Sequence, residues 1–74
     1  MPRYQFHVID GHDHIDPQVV EFRDHDTMRI DAIRYAGQCL ADLSLEPGDG
    51  HDWTMRVSDT DDRTMLKISV VITM

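Results

Sequence analysis

Apolar and polar residues alternate from the start of the chain. Tyr4, Phe6 and Val8 share one parity and Arg3, Gln5 and His7 the other, the period of a half-buried strand over residues 2–9. Asp10-Gly11 interrupts it with turn chemistry. Residues 12–17 are polar and read as a loop. After Pro17, the short apolar stretch Val19-Val20-Glu21-Phe22 reads as a second strand closing a hairpin on the first.

The period then changes. Met28, Ala32, Ile33, Ala36, Cys39, Leu40 and Leu43 recur at spacings of three and four, which at 100° per residue gathers them into one stripe. Asp31, Arg34, Gln38 and Asp42 fall opposite, together with Ile30. A helix is expected from Thr27 to Leu43. Asp24 is its N-cap, because a carboxylate there accepts from the first free backbone N–H groups, and Asp26 adds a favourable charge in the first turn. The helix is expected to end before Pro47-Gly48, inside a loop from Glu46 to Asp52.

Alternation returns with Trp53, Met55 and Val57 against Thr54, Arg56 and Ser58, a third strand. Asp59-Thr60-Asp61-Asp62 is a turn whose carboxylates can bond their own backbone. Leu66, Ile68, Val70 and Ile72 against Lys67, Ser69 and Val71 make a fourth strand. The expected fold is α+β, a two-layer β-β-α-β-β unit: a four-stranded antiparallel sheet with one helix packed on one face. Its core is Tyr4, Phe6, Val8, Trp53, Met55, Val57, Leu66, Ile68 and Val70 against the helix stripe. The other sheet face carries Gln5, His7, Thr54, Arg56, Lys67 and Ser69, with Ile9, Met65 and Val71 as apolar islands.

Composition narrows the role more than it defines one. Seventy-four residues form one domain, 1–74, with a small core. A single cysteine, Cys39, excludes an internal disulfide and fits a reducing compartment. No apolar run reaches the roughly 20 residues of a membrane span, and the first residues lack the basic and apolar regions of a signal peptide, so a cytoplasmic location is expected. Seven Lys and Arg against 14 Asp and Glu give a formal charge of −7. That balance argues against nucleic acid, whose binders displace phosphate counterions with basic side chains. Parity argues the same way, because Tyr4, Phe6 and Trp53 share the core register and leave no aromatic platform for bases on the open face.

The densest constellation of chemically capable side chains is Asp10, His12, His14 and Asp16. Extended, they would project to one side, and imidazole with carboxylate suits Zn²⁺ or Ni²⁺. The spacing matches neither a metallohydrolase motif nor a calcium loop, so weak, adventitious Zn or Ni binding is the main expectation and no cofactor is expected. Nothing points to an enzyme. Cys39 lies on the apolar stripe of the helix, Ser44, Ser58 and Ser69 have no glycine-rich elbow, and Gly48-Asp49-Gly50 lacks the lysine of a phosphate loop.

The segment Met-Pro-Arg-Tyr-x-Phe-His-Val followed by Asp10-Gly11, the Asp24-capped helix with Arg29, Asp31 and Ala32, and the strand Trp53-x-Met55-x-Val57-x-Asp59 resemble a family of short alphaproteobacterial proteins. That family is catalogued only as a domain of unknown function. The resemblance covers nearly the whole chain and implies the fold read above, with no activity, cofactor or catalytic residue. The family pattern carries a glycine in its last turn, where this chain has Asp62.

What remains is a protein-interaction module. The open face, with His7, Ile9, Arg56, Met65, Lys67 and Val71, and the sheet edges are surfaces that a homo-oligomer or an unidentified protein partner would cover. Two other readings stay open: a metal-binding domain using loop 10–16, and an acidic inhibitor or antitoxin-like module whose acid-rich tips face a basic partner.

Overall fold

The computed structural model describes residues 1–43 and 50–73. Strands β1 (Arg3–Asp10) and β2 (Asp13–Glu21), helix α1 (His25–Ala41), and strands β3 (His51–Ser58) and β4 (Thr64–Ile72) follow in the expected β-β-α-β-β order. They form one antiparallel sheet in the order β2-β1-β3-β4, so that β1 and β3 are central and β2 and β4 are the edges. The fold is α+β, as its periodicities imply. Most of the loop expected from Glu46 to Asp52 lies outside the described residues, and its last two positions, His51 and Asp52, already belong to β3.

Helix α1 begins where its cap dictates. Asp24 is extended, and its Oδ1 accepts from the Thr27 N–H at 2.8 Å. Met28, Ala32 and Ala36 are buried and meet Tyr4, Phe6, Val8, Trp53, Met55 and Val57 in a single core. Every strand residue of that core comes from β1 or β3, so the helix lies over the central pair. Ala32 and Ala36, having little side chain, leave room there for Trp53 and Met55. Two expectations about the core are corrected. Leu66, Ile68 and Val70 on β4 are only half-buried against it, because a single helix does not reach the edge strands. Ile33, placed in the helix stripe, is 53% exposed: it sits about 80° from the centre line through Ala32 and Ala36.

The first hairpin departs most from expectation. Residues 13–17 are not a loop; β2 starts at Asp13, and the reversal is a tight turn at Gly11-His12. Gly11 has φ +63°, a conformation that favours glycine, and a Cβ there would come within 3.3 Å of the His51 ring. Between Phe6↔Gln18 and Val8↔Ile15 the ladder slips, setting Asp16 and Pro17 together opposite His7. This is a β-bulge, and proline fits it because it has no N–H to give to a ladder. The bulge inverts parity along β2: Val20 and Gln18 face the helix side on even numbers, Ile15 and Asp13 on odd ones. An alternation read from the sequence cannot cross that inversion, which is why only the stretch after Pro17 resembled a strand.

In the second hairpin, Asp59 Oδ1 accepts from the N–H groups of Asp61 and Arg63, both at 2.9 Å, and Asp62 takes the left-handed conformation at φ 61°. Asp62 thus does the work of the glycine that the resemblance places here, at a steric cost that short polar side chains bear best. Thr64 pairs with Ser58 and Leu66 with Val57, which leaves Met65 as the extra residue of a second bulge rather than a regular member of the open-face row.

Candidate functional site

Three surfaces hold the side chains with chemical or binding capacity. The first is the tip of the β1–β2 hairpin, where the proposed metal ligands lie. Chain reversal at Gly11-His12 separates them: Asp10 ends β1, His12 is in the turn, His14 pairs with Ile9 on the open face, and Asp16 is in the bulge. Asp10 instead hydrogen-bonds His51 Nε2, at the start of β3, while the Gly11 N–H donates to the Asp52 carbonyl at 2.7 Å. Among the described residues no three His, Cys, Asp or Glu side chains come together as a metal would need. His51 was not singled out from the sequence, since 40 residues separate it from Gly11; the Asp-Gly turn against which it packs was the only signal.

The second surface is the open sheet face. His7, Arg56 and Lys67 pair directly across β1, β3 and β4 in one row, with Ile9, Thr54 and Ser69 in the row beside it. Arg56 is held by the second hairpin: its Nε donates to Thr64 Oγ1 at 2.6 Å and its Nη2 to the Asp62 carbonyl and Oδ1 at 2.8 and 3.0 Å. His7 Nε2 lies 3.0 Å from the hydroxyl of Ser58, a fully buried polar side chain. Val71, farther along β4, is 74% exposed. A shallow groove of about 410 Å³ runs over this face past His7, His14, Thr54, Arg56 and Lys67.

The third surface was not foreseen. On the helix side, α1 covers β1 and β3 and leaves a cleft of about 270 Å³ between itself and β2, lined by Phe6, Val8, Ile15, Val20, Phe22 and Tyr35. Phe22 stacks obliquely on Tyr4 and Phe6 with ring centroids 6.0 Å away in each case, and Tyr35 meets Phe6 edge-on at 6.2 Å. The Tyr35 phenol is held above its ordinary pKa by a hydrogen bond with the Cys39 side chain one turn on, and by partial burial. Asp16 and Asp31 stand at the mouth, one on β2 and one on α1. The bulge makes this cleft, because its parity inversion turns both Ile15 and Val20 to the helix side.

His7 and Ser58 on the open face pair an imidazole with a hydroxyl, but Ser58 is fully buried, and Cys39 is half-buried against the core. The helix is neither long nor apolar enough to cross a membrane. The model of the family described as a domain of unknown function, DUF6894, matches residues 3–71, and the chain belongs to that family. No curated protein and no solved structure matches the chain.

Proposed function

We propose that this member of the DUF6894 family is a small, non-catalytic protein-interaction module that associates with a second copy of itself through β4. The observation that carries this reading is the character of that edge. Nine residues from Thr64 to Ile72 contain no proline and one charge, and they alternate exposed residues with the half-buried Leu66, Ile68, Val70 and Ile72. Beyond the bulge at Met65, the regular stretch from Leu66 to Ile72 is a template for another strand. Face-to-face packing of the open sheets is less favourable, since a two-fold axis near its centre would set the His7–Arg56–Lys67 row against its own copy.

A two-fold axis through Ile68, the midpoint of β4, pairs Leu66 with Val70 of the second copy on the helix side. On the open side it pairs Lys67 with Ser69. Apolar then meets apolar along the strand, no like charges meet, and two half-covered cores become continuous. Sedimentation equilibrium of the full chain at about 50 µM, a concentration at which a micromolar dimer is well populated, is expected to give a dimer. Ser69→Lys, which sets lysine against Lys67 twice, is expected to give a monomer, and Ser69→Glu to retain the dimer. A wild-type monomer at that concentration would sink the reading, as would a dimer indifferent to the sign of the charge at Ser69.

A further inference from the structure

The β2–α1 cleft has an apolar interior and an acidic mouth, and these two properties together describe what it takes. Its floor is Phe6 and Val8, already nine-tenths buried by the fold, while Ile15, Val20 and Tyr35 around them remain 48%, 37% and 45% exposed. Covering those three would remove apolar surface from water without any rearrangement of the core. The volume, about 270 Å³, accommodates one large side chain and little more.

Charge selects among apolar ligands. Asp16 and Asp31 flank the cleft from opposite walls, neither forms an ion pair among the described residues, and the whole chain carries −7. An anionic or acid-flanked ligand is repelled, and a cationic one is drawn in and oriented. The cleft has no room for cations beside the apolar group it encloses, so positive charge must come from groups on either side of that group. A polypeptide with a large apolar residue between basic ones has this form. We propose that the cleft docks a segment of a partner protein that inserts one aromatic or large aliphatic side chain between Phe22 and Tyr35 and sets flanking Lys or Arg against Asp16 and Asp31. This site is at the opposite side of the sheet from β4 and does not depend on self-association.

The test uses the full chain and an acetylated, amidated arginine–phenylalanine–arginine tripeptide, followed by backbone amide shifts in ¹⁵N NMR. Saturable shifts at Ile15, Val20 and Tyr35 are expected. Asp16→Asn with Asp31→Asn is expected to weaken binding about three- to tenfold, as loss of two partly exposed ion pairs would. Gln18→Trp, which fills the cleft from the exposed strand while leaving the core intact, is expected to abolish it with the spectrum otherwise preserved. The proposal is overturned by any of four results: no saturable shift up to 10 mM peptide (about the weakest affinity one buried side chain would leave); equal binding of a glutamate-flanked tripeptide; equal binding with alanine in place of the phenylalanine; or shifts at these residues that follow protein concentration alone, which would give the cleft to a second copy.

Discussion

The two edges of the sheet have the same length and opposite characters. β2 and β4 are nine residues each. Every residue of β2 is exposed; it carries Pro17, a bulge, and the carboxylates of Asp13, Asp16 and Glu21. β4 has no proline within its span, carries only Lys67 as a charge, has its one bulge at Met65 near its N-terminal end, and rests one side of its length on the core. Bulge, proline and charge are the devices by which sheets refuse a further strand. One edge is therefore closed to strand pairing and left with a cleft for side chains, and the other is open to strand pairing. A single helix centred on β1 and β3 produces both consequences, since it leaves each edge outside its cover.

The difference in what the core owes to each edge is tested by the same truncation on both. Ile68 pairs with Met55 and packs on the core, whereas Ile15 pairs with Val8 and borders the open cleft. Ile68→Ala is expected to cost about 2 kcal/mol, at the low end for a buried isoleucine because Ile68 is half-buried, and Ile15→Ala under about 1 kcal/mol. Urea unfolding of both in the Ser69→Lys background, where association does not contribute, gives the comparison directly. Equal costs would mean that the helix covers both edges alike.

A second prediction tries to convert one edge into the other. Pro17→Val restores an N–H and a β-branched side chain at the bulge. In the Ser69→Lys background, which is expected to silence β4, it should raise the weight-average mass with concentration as β2 begins to pair. A protein that stays monomeric would show that the carboxylates of β2 close this edge without help from Pro17.

How much of this was legible in the sequence follows from which signals are local. The parities of Tyr4-Phe6-Val8 and Trp53-Met55-Val57, the Asp24 cap and the Asp59 turn each depend on neighbours a few positions away, and each appears in the structure where the pattern puts it. The bulge at Asp16-Pro17 does not have that property. It is a relation between β2 and His7 of β1, and by inverting parity it hid most of a strand. Asp10, His12, His14 and Asp16 do not lie side by side, because that arrangement assumed one extended segment where the chain turns back at Gly11-His12. The partnership of Asp10 with His51 and the β2–α1 cleft both join residues distant in sequence, and no spacing rule marks them.

The smallest expected effect concerns how the helix is held beside β2. Asp24, three residues beyond the end of that strand, has its carboxyl below the ordinary range chiefly because the Thr27 backbone N–H donates to it, with the Arg23 guanidinium a lesser cause. A depressed carboxylate contributes stability that is complete above its unfolded pKa and is lost as pH falls through the folded one. The cap therefore holds fully at neutral pH and loosens only on acidification below the usual Asp range. Its loss frees the N-terminal turn of α1, which precedes the cleft residues Asp31 and Tyr35 on that helix, and leaves β4 without a direct effect. Amide exchange relative to the intrinsic rate at each pH, followed from pH 5 to pH 2.5, a window that spans the Asp titration, should accordingly rise first at Thr27 and Met28, and later at Ile68 and Val70. Asp24→Asn, which keeps an accepting oxygen and removes the charge, should flatten that early rise while preserving the helix. An early rise that persists in Asp24→Asn would trace the acid sensitivity to a carboxylate other than the cap.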